Sequence, residues 1–344
     1  MATELAETPK KSKKTSETAS LVFDNNALIP MLLGENDLFL KSIEEQLKVV
    51  VVARGNMLAI DGEKAAVAKA RSVIEVLYEK LEHGQDLTSG DVDAALRMAK
   101  DQAEGGAHPG GVHDLSVKTL KKIIRPYTNM QASYIQALYE KDLVFALGPA
   151  GTGKTYVAVA MAVHAFINRK VDRIILSRPA VEAGEKLGFL PGDLKDKIDP
   201  YLRPLYDALF DMMPAEKVAR HVESGEIEVA PLAFMRGRTL SNAYIILDEA
   251  QNSTATQMKM FLTRLGENSR MVVTGDLSQI DLPRDVKSGL MDATRKLKNI
   301  DAINITHFGE RDVVRHKLAV QIVHAYEEWD KQKKKIQQGA VKEE

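Results

Sequence analysis

Apolar positions along this chain follow two patterns. Between residues 20 and 84 they alternate or recur at helical spacing. LVFD (21–24) reads as a short strand, and LFLKSIEEQL (38–47) puts Leu40, Ile43 and Leu47 on one helical face. The β-branched run VVVVA (49–53) predicts a strand, Arg54-Gly55-Asn56 a turn, and MLAID (57–61) a returning strand. EKAAVAKARSVIEVLYEKLEHG (63–84) has the spacing of a long amphipathic helix closed by Gly84. The order strand, helix, strand, strand, helix defines a small α+β domain over 20–84.

From residue 120 to 328 the strands become continuous apolar runs separated by helical segments: LVFAL (143–147), RIILS (173–177), IEVA (227–230), YIILD (244–248), RMVVTG (270–275) and INITHF (303–308). Such runs predict an α/β domain whose mostly parallel sheet is covered on both faces. Residues 85–119 read as a linker with one helix in TSGDVDAALRMAKDQ, capped near Ser89 or Asp91, before the glycine- and proline-rich EGGAHPGG (104–111). Residues 1–19 and 329–344 are polar and charged and read as tails. No internal repeat is present.

Composition narrows the classes. At 344 residues, 44% hydrophobic and 28% charged, the chain can bury a sizeable core. The absence of cysteine excludes disulfides, thiol nucleophiles and cysteine-ligated metals. Lys and Arg number 47 against 48 Asp and Glu, so net charge marks no nucleic-acid binder and leaves only local basic patches. No apolar run approaches the roughly 20 residues of a membrane span. The first residues, MATELAETPKKSKKTSETAS, lack the apolar core of a signal peptide, so the expectation is a cytoplasmic protein without membrane attachment.

The sharpest chemical signal is GPAGTGKT (148–155), between a strand and a helix. Gly148, Gly151 and Gly153 let the loop that also holds Pro149 close tightly, so that Ala150 and Thr152 can turn their backbone N–H groups inward on phosphate. Lys154 is spaced to reach the β- and γ-phosphates, Thr155 offers a hydroxyl to Mg²⁺, and Tyr156 follows on the helix whose positive end faces the phosphates. These residues predict an ATP and Mg²⁺ site.

Downstream, AYIILDEAQN (243–252) ends an apolar strand in Asp248-Glu249, at the strand end that faces the ligand crevice of a parallel sheet. Asp248 is the expected Mg²⁺ carboxylate and Glu249 the group that polarises the attacking water. VVTGDLSQIDLP (272–283) ends another strand, and the neutral amide of Gln279 is suited to sense the γ-phosphate. An acidic pair and this polar loop argue against a small-molecule kinase.

GPAGTGKT, DEAQ and GDLSQ in this order resemble the first motor domain of superfamily-one helicases. More closely, the chain resembles the PhoH-like family of phosphate-starvation-inducible ATPases. The resemblance is carried by TNMQASYIQAL, SRPAVEAGEKLGFLPGDLKDKIDPYLRPLYDAL, APLAFMRGRTLSNAYIILDEAQNST and DVVRHKLAVQIVHAYE, and covers most of residues 121–328. It implies a RecA-like P-loop NTPase fold. It also implies that Gln131, 17 residues before Gly148, reads adenine. An arginine finger is expected among Arg178, Arg236, Arg238, Arg311 and Arg315, with Arg315 carried as the catalytic candidate. A second motor domain has no room here, so the resemblance implies a homo-oligomer, a hexamer by family analogy, with the finger from a neighbour.

LLGENDLFLKSIEEQLKVVVVARGNMLAIDG resembles a degenerate KH-like fold, with Gly34-Glu35-Asn36-Asp37 in the place of the Gly-x-x-Gly loop. Glu35 and Asp37 would repel an RNA phosphate, so a docking or oligomerisation module stands beside RNA binding for this unit. In the segment 184–209, Lys186, Lys195, Lys197 and Arg203 are candidate RNA contacts, interleaved with Asp193, Asp196 and Asp199. The resemblance further implies a YbeY-type endoribonuclease as partner in ribosomal RNA processing. Two functions are therefore carried forward: an ATPase that remodels or unwinds RNA, and a scaffold ATPase that loads a nuclease without unwinding.

Overall fold

A computed structural model describes residues 16–101, 115–179, 194–283 and 285–314, together with Ile322 and Trp329. The expected linker core at 104–111, residues 184–193 of the GEKLGFLPGDL stretch, Arg315 and the charged C-terminal end lie outside the described residues, apart from Trp329. The chain divides into two compact units: the described residues up to 101 with Tyr127–Asn129, and the remainder.

The first unit is built on a three-stranded antiparallel sheet. β1 (Ser16–Val22), β2 (Val50–Arg54) and β3 (Met57–Glu63) are ordered β1-β3-β2. Between β1 and β2 lie α1 (Ile29–Leu33) and α2 (Leu38–Leu47); α3 (Lys64–Glu82) and α4 (Ser89–Asp101) follow β3. The strand, helix, strand, strand, helix order is present, with α1 added. β1 starts at Ser16, inside the expected tail: SETAS has no apolar period, and pairing with β3 from Ser16↔Glu63 to Val22↔Met57 holds it. The expected linker helix α4 packs Val92, Ala95, Leu96 and Ala99 into the same core as Leu58, Ile60 and Leu77. Gly34-Glu35-Asn36-Asp37 joins α1 to α2 with Gly34 at φ +76°, Asn36 at φ +53° and Asp37 at φ +59°.

The second unit opens with β4 (Val117–Lys118) and β5 (Ile123–Ile124), a two-stranded antiparallel ribbon, and then α5 (Asn129–Glu140). Its main sheet is wholly parallel among the described residues. It comprises β6 (Leu143–Leu147), β7 (Arg173–Arg178), β8 (Ile227–Pro231), β9 (Ala243–Leu247), β10 (Arg270–Gly275) and β11 (Ile303–His307). The order is β11-β6-β10-β9-β7-β8. The helices are α6 (Lys154–Ile167), α7 (Leu194–Met212), α8 (Ala215–Glu223), α9 (Ala255–Leu262) and α10 (Gly289–Leu297).

The continuous apolar runs are explained by two cores. Val144, Ala146, Ile174, Leu176, Tyr244, Ile246 and Val272 face a cluster that holds α6 and α7. Their neighbours Phe145, Leu147, Ile175, Ile245, Leu247 and Val273 face a second cluster with Met258 and Phe261 of α9 and Leu290 of α10. Successive residues of a strand point to opposite faces, so a sheet covered twice needs apolar residues at every position. α7 keeps helical form through Pro200 and Pro204 because Leu202, Leu205, Leu209 and Met212 bury one face in the first cluster. Among the described residues, no helix is long and apolar enough to cross a membrane.

Candidate active site

The strands of a parallel sheet all end on one side, and β6, β7, β9 and β10 bring their carboxyl ends together there. The loop from β6 to α6 takes Gly148 at φ +146°, Gly151 at φ +86° and Gly153 at φ +80°. A side chain on Gly148 would also meet the Phe308 carbonyl oxygen at 2.4 Å, so this glycine is required by space as well as by φ. The Thr152 hydroxyl donates to the Pro149 carbonyl at 3.0 Å, which closes the loop on itself. The Val314 amide donates to the Gly151 carbonyl at 2.8 Å, so the chain that leads to Arg315 touches the loop from beyond β11.

Lys154 is only 8% exposed. Its ammonium donates to the carbonyls of Gly148 at 2.7 Å and Pro149 at 2.8 Å, and to the Thr152 hydroxyl at 3.3 Å. These are the kind of oxygen contacts that phosphate oxygens can replace. Gln131 lies under the loop, 3% exposed, and its amide nitrogen donates to the Thr152 carbonyl at 2.9 Å. A Cβ on Gly153 would meet that nitrogen at 2.9 Å. This contact makes Gln131 a support of the loop.

Across the crevice, Asp248 follows β9 and is 6% exposed. Its Oδ1 accepts from the Thr155 hydroxyl at 2.6 Å and from the Thr274 hydroxyl at 2.6 Å. The donor set fits Mg²⁺: a hydroxyl and a carboxylate in contact at the loop mouth, both hard oxygens. Mg²⁺ is commonly held by one or two such groups together with phosphate and water. Thr155 and Asp248 would hold it, and the ion would neutralise phosphate charge during transfer.

Glu249 has φ +50°, a left-handed backbone that a non-glycine residue rarely adopts. Its Oε1 lies 3.3 Å from Nη2 of Arg178, and its Oε2 accepts from the Gln251 side-chain nitrogen at 2.5 Å. Arg178 ends β7 and also donates from Nη1 to the Tyr201 carbonyl of α7 at 2.9 Å. Gln251, 1% exposed, is the residue that sequence reasoning quoted in DEAQ and left without a role. It gives its nitrogen also to the Gln279 carbonyl at 3.2 Å, and its oxygen accepts the Asp276 amide at 3.0 Å. One buried amide therefore ties Glu249 to the loop after β10. The signal available beforehand was an amide two residues beyond the acid pair, able to donate and accept at once.

Gln279 is exposed; its backbone N–H donates to the Asp276 carbonyl at 3.1 Å, and its side-chain amide reaches no partner among the described residues. Tyr156 spends its hydroxyl on Asp211 of α7 at 2.6 Å. Burial pushes the Asp211 carboxyl up, but the bonds from Lys122 and Tyr156 outweigh it and hold its pKa below the ordinary value. A cavity of about 500 Å³ lies beside the loop mouth, lined among others by Thr155, Tyr156, Arg178, Asp207, Asp248 and Glu249. Of the other arginines, Arg238 forks onto Glu228 at 2.6 and 2.7 Å, a structural pair, while Arg236 and Arg311 are exposed.

Comparison with known proteins places this geometry in a family. Residues 123–327 match the family model described as PhoH-like protein. The chain is 50% identical over 296 residues to a PhoH-like protein of Bacillus subtilis, covering 86% of this chain and 93% of that protein. It is 51% identical over 304 residues to a PhoH-like protein of Mycobacterium tuberculosis strain H37Rv, covering 88% and 86%. To the protein PhoH of Escherichia coli K12 it is 42% identical over 284 residues, covering 82% and 76%. Among solved structures, it is similar to a Sulfolobus solfataricus SWI2/SNF2 ATPase core in complex with dsDNA. That likeness has 18% identity and a TM-score of 0.31 over 46% of this chain and 33% of that one, too slight to carry an argument. The family model spans the phosphate loop, the Asp248-Glu249 strand end and the loop after β10, and this chain belongs to the PhoH-like family.

Proposed function

We propose that this chain is an Mg²⁺-dependent ATPase that couples hydrolysis to the remodelling or unwinding of RNA. The observation that carries the hydrolytic part is the convergence of Lys154, Thr155, Asp248 and Glu249, with Gln251 joining Glu249 to the loop after β10. A binding module needs the phosphate loop and the metal oxygens. It has no use for a second carboxylate, turned by a strained backbone to the crevice and tied to a neighbouring loop.

In this reading Lys154 and the loop orient the phosphates, and Thr155 and Asp248 would hold Mg²⁺, which would supply charge neutralisation there. Glu249 orients the attacking water and accepts its proton. Gln279, whose side chain is free among the described residues, senses the γ-phosphate, and Gln251 passes the change between the two. Arg178 is the arginine that lines the described crevice, and it is already paired with Glu249. The reading therefore takes the finger from elsewhere, from Arg315 or from a neighbouring copy in a ring, a hexamer by family analogy.

RNA as the remodelled partner, and a YbeY-type endoribonuclease beside it in ribosomal RNA processing, rest on the resemblance to helicase motors and to the family. The test is steady-state ATPase activity with and without single-stranded RNA, using Glu249→Gln as the blank. Turnover should fall by about a hundredfold or more in the variant while ATP still binds. RNA should stimulate the wild type, less so as salt rises. Stimulation by the endoribonuclease and none by RNA would select the scaffold ATPase that loads a nuclease. Near-normal turnover in Glu249→Gln would overturn the hydrolytic assignment.

A further inference from the structure

The guanidinium of Arg178 is shared between two elements of the second unit. Nη2 faces Oε1 of Glu249 at 3.3 Å, and Nη1 donates to the backbone carbonyl of Tyr201 at 2.9 Å. No other described contact holds this side chain, which is 22% exposed. The turn of α7 that it reaches runs between Pro200 and Pro204. A proline has no N–H to return to the carbonyl four residues before it, so Pro204 leaves the Pro200 carbonyl without a helical donor, while the Tyr201 carbonyl, whose helical partner four residues on is Leu205, takes Arg178 as an additional donor from outside.

At the other end, both oxygens of Glu249 are engaged, Oε1 by Arg178 and Oε2 by Gln251. The two partners differ. Gln251 is neutral, buried and bonded on to the loop after β10, so it orients the carboxylate. Arg178 is cationic and draws on the negative charge that a lytic water's proton would need. A bound nucleotide would bring its γ-phosphate charge to the same mouth, where it competes for the guanidinium.

Given the reading of Glu249 as the group that activates water, we propose that Arg178 is a positioning residue that holds Glu249 idle. Its release is tied to the proline-flanked turn of α7 through the Tyr201 carbonyl. Without nucleotide, Arg178 clasps Glu249 and Tyr201 together. When the γ-phosphate takes the guanidinium, Glu249 is freed for water and the α7 turn loses its outside donor in the same event. Chemistry at the loop mouth and the state of α7 thereby become one equilibrium.

The test compares wild type, Arg178→Ala, Arg178→Lys and Glu249→Gln as full chains. In Arg178→Ala, kcat without any partner should rise about threefold to fivefold with KM for ATP little changed, the factor that an ion pair of this exposure is worth. Arg178→Lys keeps a charge near Glu249 but cannot fork between Glu249 and the Tyr201 carbonyl, so it should restore the wild-type kcat and leave α7 uncoupled. Hydrogen exchange supplies the independent readout. Amides of residues 201–212 should exchange faster in both arginine variants without nucleotide. The wild type should move only part of the way to that rate with a non-hydrolysable ATP analogue, because the clasp that persists in the ATP-bound population is what the rise in kcat reads.

A fall in kcat of about a hundredfold or more in Arg178→Ala, with ATP still bound, would make Arg178 a finger acting in cis and overturn the proposal. Unchanged kcat, or exchange in 201–212 identical in all forms, would also overturn it. Glu249→Gln separates the two failures. If that variant is inactive and Arg178→Ala behaves as wild type, only the clasp falls. If Glu249→Gln hydrolyses ATP normally, the hydrolytic assignment falls first.

Discussion

In the first unit, strand β2 alternates Val50 outward, Val51 inward and Val52 outward, with exposures of 60%, 6% and 45%. In the second unit, every residue of β6 and of β9 is buried. Both strands are apolar in sequence, yet the first belongs to a sheet with one bare face and the second to a sheet covered twice. The difference decides where chemistry can be built. The antiparallel sheet spreads its strand ends over two edges, and none of the candidate site residues lies on it. The parallel sheet gathers its carboxyl ends on one side, and Lys154, Asp248, Glu249 and Asp276 follow from it within a few residues.

The electrostatics separate in the same way. In the first unit, the buried Asp91 accepts from Lys80, from the amide and hydroxyl of Thr88 at 2.8 and 2.6 Å, and from the Tyr127 hydroxyl at 3.1 Å. Burial works to raise its pKa, and the Lys80 and Thr88 bonds outweigh that and hold it below the ordinary value. This charge is fully partnered and built to hold α4. In the second unit, Glu249 is 36% exposed on a strained backbone and half-tied to an arginine, a charge built to change partners.

The comparison yields graded expectations. The largest effect should follow Lys154→Ala, which removes the phosphate-facing ammonium. ATP turnover should fall by about 10² to 10³, with thermal stability little changed. Equilibrium binding of a fluorescent ATP analogue and steady-state hydrolysis check it, and unchanged hydrolysis would end the phosphate-loop assignment. Next comes Gln251→Ala, which leaves Glu249 in place without its orienting bond. We expect kcat to drop about tenfold to a hundredfold at nearly constant KM. A rise in KM alone would mean that Gln251 serves binding.

The smallest effect on turnover, and the clearest on stability, should come from Asp91→Asn. The folded carboxyl has a depressed pKa, so its contribution is whole above the unfolded value near 3.9 and is lost as pH falls through the folded one. At pH 7 the variant should lose about 2–3 kcal/mol of unfolding free energy, and the two proteins should converge in acid. Urea denaturation followed by circular dichroism at both pH values measures this. ATP affinity should not move, and a drop in affinity would break the division of labour between the units.

Much of the fold was legible in advance because it rests on neighbours along the chain. LFLKSIEEQL is α2 and LVFAL is β6, residue for residue, and KTYVAVAMAVHAFI is α6. Each has an unbroken local period, and the glycines of the phosphate loop stand where positive φ is needed. Where the local signal was weak, the reading shifted: polar SETAS became strand only by pairing with β3, and α4 left the linker only because its apolar face found α3.

What the sequence alone determined was therefore the α/β class, the nucleotide loop and the acidic strand end, all written in short windows. The tertiary structure alone decided which of those residues meet. It set the order β11-β6-β10-β9-β7-β8, which brings Asp248 to Thr155 and Thr274. It put Gln131 beneath the loop, made Gln251 a junction and closed Arg178 onto both Glu249 and Tyr201. Hydrophobic periodicity states that a strand is buried and does not state which strand lies beside it. A side chain that donates a single hydrogen bond can satisfy it on any acceptor the packing brings within about 3 Å.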